Sequence, residues 1–177
     1  VDPSKVYVSG AYAYLADGTA GLQIINISNA AVPTRMSTLD TPETAYDVFV
    51  SGAYAYVTHD DPGIHTVNIA NASSPSLTAS FVTPGTSHGL FVSGSYLYVA
   101  DWTAGLIVFS VSNPAVPTYV GWIDMMTASG VFVSGAYAYV PDRYAESVEV
   151  INISNAASPT LTSSFQVTSE AREIDIS

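Results

Sequence analysis

The chain is built from four copies of one segment. Val8-Ser9-Gly10-Ala11-Tyr12-Ala13-Tyr14 returns as Val50-Ser51-Gly52-Ala53-Tyr54-Ala55-Tyr56, as Val92-Ser93-Gly94-Ser95-Tyr96-Leu97-Tyr98 and as Val133-Ser134-Gly135-Ala136-Tyr137-Ala138-Tyr139. The glycines stand 42, 42 and 41 residues apart. Asn29, Asn71, Asn113 and Asn155 keep the same beat, each followed four residues later by Pro33, Pro75, Pro117 and Pro159. A chain of copies has to solve one packing problem four times, so the period limits the fold before any strand is assigned.

Within a copy the apolar period is two, the signature of strands. In the second copy the pattern predicts strands over Asp47–Ser51, Tyr54–Thr58, Ile64–Ile69 and Leu77–Val82, with a turn at His59–Gly63 and a loop at Asn71–Pro75. Each copy then reads as a four-stranded antiparallel meander with apolar side chains on both faces, Tyr12 and Tyr14 on one and Ala13 and Leu15 on the other. Such a sheet has to be covered on both sides. A period of 40–45 residues with four strands is that of a β-propeller blade, and the Tyr/Ala alternation lets large rings of one blade meet small residues of the next. The expected fold is all-β, with blades at about 5–40, 46–83, 88–124 and 129–168.

Composition narrows the partners. The chain of 177 residues carries 4 Lys plus Arg against 15 Asp plus Glu, and its charged fraction is only 11%. Polarity comes instead from 39 Ser and Thr. A net charge of −11 cannot neutralise a run of phosphates, which argues against nucleic acid and anionic membrane surfaces. No apolar stretch approaches the roughly 18 residues of a membrane-spanning helix, so no membrane insertion is expected. Absence of Cys removes disulfides, thiolate metal sites and thiol nucleophiles.

The third strands, Gly21-Leu22-Gln23-Ile24-Ile25-Asn26-Ile27-Ser28-Asn29 and Gly105-Leu106-Ile107-Val108-Phe109-Ser110-Val111-Ser112-Asn113-Pro114, resemble the LVIVD repeat, as does Tyr96-Leu97-Tyr98-Val99-Ala100-Asp101. That resemblance spans all four copies. It implies a β-propeller protein exported to the surface of bacteria or archaea, a family usually without an assigned activity. Two departures stand out. Asn26, Asn68, Ser110 and Asn152 replace the family's Asp, and the fourth copy has Ser147-Val148 where the others have a Gly-led turn.

By the same alignment the first strand of each copy is innermost. Ala171–Ser177 aligns with Ala45–Ser51, an extra strand 171–177 beyond four blades. Three arrangements fit: part of a propeller with more blades, a chain completing a ring or filament with other copies, or a closed four-blade ring with a spare strand. An unpaired strand favours self-association or pairing with other surface proteins.

Just before the first strands lie Tyr46, His88, Ser129 and Arg172; solvated loop residues are the expected reading, and the alternative is that they line an axial opening and bind a sugar, a peptide or a metal. Asp17, His59, Asp101 and Asp142 share one repeat position, where an Asx turn is the expected role. His59 and His65 can approach one another across a turn, without a third metal ligand indicated. No Gly-x-Ser-x-Gly, His-Glu-x-x-His or phosphate-loop motif occurs, so neither an enzyme nor a cofactor is expected. Asn26, Asn71 and Asn152 head glycosylation sequons, with Asn71 in the most open turn. The expected function is a non-enzymatic extracellular or cell-surface structural or interaction module, such as a scaffold, filament or adhesion propeller. The alternative is a ligand-binding or catalytic propeller.

Overall fold

The computed structural model describes residues 5–41, 43–59 and 63–168. The predicted extra strand at 171–177 lies outside them. Among the described residues the first sheet contains β1 (Lys5–Ser9), β2 (Tyr12–Ala16), β3 (Leu22–Asn26) and β4 (Thr34–Leu39). The second contains β5 (Ala45–Ser51), β6 (Tyr54–His59), β7 (Gly63–Asn68) and β8 (Ser76–Phe81). The third contains β9 (Gly89–Ser93), β10 (Tyr96–Ala100), β11 (Leu106–Ser110) and β12 (Thr118–Ile123), and the fourth β13 (Phe132–Ser134), β14 (Tyr137–Asp142), β15 (Ser147–Asn152) and β16 (Thr160–Gln166). Every sheet is a meander whose strands pair antiparallel in chain order, the topology of a propeller blade. The turn expected at 59–63 gives up both of its ends, because His59 pairs with Gly63 and extends the ladder.

The repeated glycine opens each hairpin between first and second strands. Gly10, Gly52, Gly94 and Gly135 have φ of 58, 59, 58 and 58°. Two-residue hairpin loops demand a positive φ at the first central position, which glycine adopts without steric cost. A Cβ on Gly94 would meet nothing within 4 Å, so this glycine is required for backbone conformation alone. Gly105 is different. It has φ of +78°, and a Cβ there would lie 2.2 Å from the Ile123 carbonyl oxygen.

The chain forms two compact units, Val1–Val82 and Thr83–Ser177. In the first, Tyr14, Ala16, Leu22 and Ile24 of one sheet pack on Ala45, Val48, Ala55 and Val57 of the next. The second repeats the arrangement with Tyr98, Ala100, Leu106 and Val108 against Ala128, Val133, Ala138 and Val140. The tyrosine side of one sheet thus meets the alanine side of its successor, as the alternation predicts. Burial pushes the phenols of Tyr14, Tyr56 and Tyr98 above their ordinary pKa, with Tyr12, Tyr54 and Tyr96 respectively adding to the shift. First strands also meet through rings: Tyr7 stands 4.6 Å from Phe49 in the first unit, and Phe91 stands 5.1 Å from Phe132 in the second.

Gly94→Ala and Gly105→Ala separate the two uses of glycine. Left-handed strain alone should cost Gly94→Ala about 1–2 kcal/mol. Gly105→Ala adds a collision with main chain and should cost more than about 2 kcal/mol. Urea midpoints of the two variants check this, and equal losses would contradict it.

Candidate functional site

The end of each second strand carries a polar group, and in the third and fourth sheets that group fastens the connection entering its own sheet. Asp101 is fully buried; its Oδ2 accepts the Gly85 N–H at 2.7 Å and its Oδ1 accepts the Ser87 hydroxyl at 2.8 Å. Asp142 repeats the contact, accepting the Met126 N–H at 3.0 Å and the Thr127 hydroxyl at 3.0 Å, and also the Ala145 N–H at 3.1 Å. Only the Ala145 bond belongs to the Asx turn expected from sequence. The other four reach back 14 to 16 residues, so these carboxylates chiefly clamp the incoming loop. In the first sheet Asp17 instead accepts the side-chain amide of Gln23.

The second sheet places His59 at this position and surrounds it differently. His59 and His65 are 6% and 4% exposed, and their rings lie 4.3 Å apart. Nε2 of His65 is 3.1 Å from Glu43 Oε2, and its Nδ1 is 2.8 Å from Ser80 Oγ. One ligand atom from each of Glu43, His59 and His65 lies within 4.8 Å of the others. Nδ1 of His59 is buried without a hydrogen bond, although the residue has other interactions. Glu43 is the partner the motif search lacks. It becomes visible when the copies are aligned on their hairpin glycines, where Glu43 falls opposite Gly85 and Met126.

The residues predicted for an axial opening are distributed between the units. Tyr46 is half-buried in the first. His88 and Ser129 are in the second, where the backbones of Gly89 and Gly130 press together so closely that a Cβ on Gly89 would sit 2.8 Å from Gly130 Cα. Arg172 lies outside the described residues. His88 stacks on Trp102 with ring centroids 4.5 Å apart, and the Arg143 guanidinium stands 5.8 Å from the Trp102 ring. Trp102, Thr127, Arg143 and Tyr144 line a cleft of about 220 Å³.

Trp102 has φ of 50°, in the left-handed region that glycine prefers. Its counterpart in the first copy is a glycine, Gly18, with φ of 52°. The cause is shared: the N–H and C=O of Trp102 bond to Ala128 at 3.1 and 3.0 Å, and the Gly18 carbonyl accepts from Ala45 at 3.0 Å. These bonds to the next sheet hold the conformation whatever the side chain. Like Glu43, Trp102 escapes a motif search and is exposed by copy-to-copy comparison.

The sequon asparagines are engaged in turns. Oδ1 of Asn26 and of Asn152 each accepts an N–H two residues on at 2.9 Å, and Asn71 accepts both the N–H and the hydroxyl of Ser73, at 3.2 and 2.7 Å. Asn71 is exposed, Asn26 and Asn152 half-buried. Asn68 makes the equivalent bond to Ala70. The amide therefore makes the same turn that a carboxylate would, without its charge.

The LVIVD repeat profile matches residues 2–41, 43–83, 84–124 and 127–167. The chain belongs to the LVIVD repeat family. No curated protein sequence matches this LVIVD protein. Among solved structures it is similar to a functionally unknown protein from Desulfotomaculum acetoxidans, with TM-score 0.83 and 12% identity over 99% of this chain and 60% of that one. A protein from Lactobacillus plantarum gives TM-score 0.82 and 16% identity over 93% and 57% of the two chains. A "putative 6-phosphogluconolactonase" from Bacteroides fragilis gives TM-score 0.82 and 15% identity over 95% and 56%. At these identities the likeness is one of fold. The LVIVD chain spans 60% or less of each of the three structures.

Burial lowers the His88 pKa below its ordinary value; Asp101 opposes the shift and Arg143 adds to it. Below about pH 6.5 the unfolded chain therefore binds a proton that folded His88 resists. The stability tied to this residue is full above that pH and declines as pH falls through the folded-state pKa. A histidine NMR titration should place the His88 midpoint below about 6.5; a midpoint at or above it would refute the reading.

Proposed function

We propose that this LVIVD-repeat protein is a non-enzymatic extracellular structural or interaction module whose partners are further copies of itself, joined edge to edge. The observation that carries this reading is the state of the fourth strands. Each of β4, β8, β12 and β16 has a single neighbour within its sheet. β8, β12 and β16 hold no charged residue and no proline, and all seven residues of β16 are exposed. Each of these three strands has a one-residue irregularity against its neighbour, but none has the Lys or Pro that commonly blocks a strand edge, so the uncharged edge offers a template for strand addition. Exposed Leu161 and Phe165 on β16, and Tyr119 and Trp122 on β12, supply apolar area beside the main-chain hydrogen bonds. Family membership supports the surface location, and Asn71 offers an exposed acceptor if the compartment glycosylates.

Charge opposes association of chains bearing −11 each, and salt screens that repulsion. Light scattering of the purified chain should show mass increasing with concentration and with ionic strength. Ser163→Lys combined with Phe165→Lys should return it to the monomer. A monomer at every concentration and salt level would refute the proposal.

A second reading is favoured by Trp102. An indole in a glycine-type conformation, between His88 and Arg143 at the mouth of a cleft, suits the face of a sugar ring, and the lactonase name of the Bacteroides fragilis neighbour points to the same substrate class. Trp102→Gly should keep the fold, because Gly18 occupies the equivalent position. Under this reading it should abolish retention on immobilised saccharides; unchanged retention, or none by the parent chain, would eliminate it.

A further inference from the structure

We propose that Glu43, His59 and His65 form a binding site for a divalent transition metal of the zinc type. The argument begins with what the other sheets do at the same place. In the third and fourth, a buried Asp fastens the incoming loop through the N–H of Gly85 or Met126. In the second sheet the Asp is His59 and the residue opposite Gly85 is Glu43. The loop keeps its form without the carboxylate clamp: Thr41 Oγ1 donates to the Glu43 carbonyl at 3.1 Å, as Thr83 donates to that of Gly85 at 3.1 Å. The Glu43 side chain is therefore an addition to the framework.

His65 completes the set from the neighbouring strand. Its register counterparts are Gln23, Ile107 and Glu149, so only the second sheet joins two imidazoles to a carboxylate here. The three residues stand on β6, β7 and the connection into β5, within one unit and largely on paired strands. Gly63 makes room, since a Cβ there would sit 3.1 Å from Cε1 and 3.3 Å from Nε2 of His59.

Ligand type selects the metal. Two imidazoles and one carboxylate suit Zn²⁺ and its neighbours in the transition series, whereas Ca²⁺ and Mg²⁺ require a shell of oxygens. Bonds of about 2.0–2.1 Å in tetrahedral array put neighbouring ligand atoms about 3.4 Å apart. His65 Nε2 and Glu43 Oε2 are already at 3.1 Å, and the remaining gaps, at most 4.8 Å, close by side-chain rotation of about 1.5 Å. A three-residue set leaves a fourth position for water or a partner's ligand.

Ser80 is the positioning residue. A hydroxyl can donate or accept, so it serves both protonation patterns of the ring. When Nε2–H donates to Glu43, the Ser80 hydroxyl donates to Nδ1. When Nε2 bonds a metal, Nδ1 carries the proton and donates to Ser80. The carboxylate and the chain's net charge of −11 both favour a dication.

The test is titration of the whole chain with Co²⁺, read by its visible absorption, followed by displacement with Zn²⁺. One Co²⁺ per chain should give the intense bands of a low-coordinate site, and one Zn²⁺ should remove them. His59→Ala and His65→Ala should lose the bands. Glu43→Gln, which preserves size and folding, should weaken Zn²⁺ binding about tenfold or more, and Ser80→Ala about 10–100-fold. Asp17→Asn, at the equivalent place in the first sheet, should bind like the parent. Zn²⁺ should also raise the melting temperature of the parent and much less that of Glu43→Gln. Failure of the parent to bind Co²⁺ at micromolar concentration would overturn the site. So would stoichiometric binding that survives Glu43→Gln unweakened, which would mark the metal as held by surface carboxylates.

Discussion

A four-stranded sheet with apolar side chains on both faces cannot be stable alone, and everything else in this protein answers that constraint. The solution is a directional fit. Tyr14 and Tyr98 press into the alanine sides of the sheets that follow them, beside Ala55 and Ala138. Close packing of a large ring against a small side chain fixes the spacing of the sheets as well as burying area. Because the fit is between unlike faces, one sheet's front always wants another's back, and the period of the sequence follows from it.

Fastening the sheets leaves certain positions exempt from packing. The left-handed residue after the second strand is held by main-chain bonds to the next sheet, at Gly18 and at Trp102 alike. The loop ahead of the first strand is held by a threonine hydroxyl that donates to the carbonyl two residues on, from Thr41 to Glu43 and from Thr83 to Gly85. Where the neighbouring main chain leaves room, side chains at such positions can change without loosening the framework. There the copies differ most usefully, with an indole in one and a carboxylate beside two imidazoles in another.

The sequence made the fold plain because its signals were redundant. Hairpin glycines, Asn-x-x-x-Pro loops and Tyr/Ala alternation each pointed to four-stranded units, and the strands fall within two residues of those predicted for the second copy. Site geometry was less legible. The role of Asp101 and Asp142 depends on partners 14 to 16 residues earlier, which a local turn rule does not anticipate. The proximity of His59 and His65 followed from adjacent strands, but Glu43 reaches them from a connection that enters the sheet 22 residues before His65. Trp102 carried no motif at all; its backbone strain is set by a hydrogen bond to another sheet.

Gly85 carries a consequence for the individuality of the copies. A Cβ at that residue would come within 2.4 Å of the Asp101 carbonyl oxygen, so the third sheet cannot accept a glutamate where the second has one. The fourth, with Met126 there, has no such bar. Near-identical units are therefore not interchangeable parts: the tightness of one main-chain approach determines which of them can diversify in a given direction. In an array of such chains, a feature confined to the second unit would recur once per molecule, and its spacing would measure the subunit rather than the repeat.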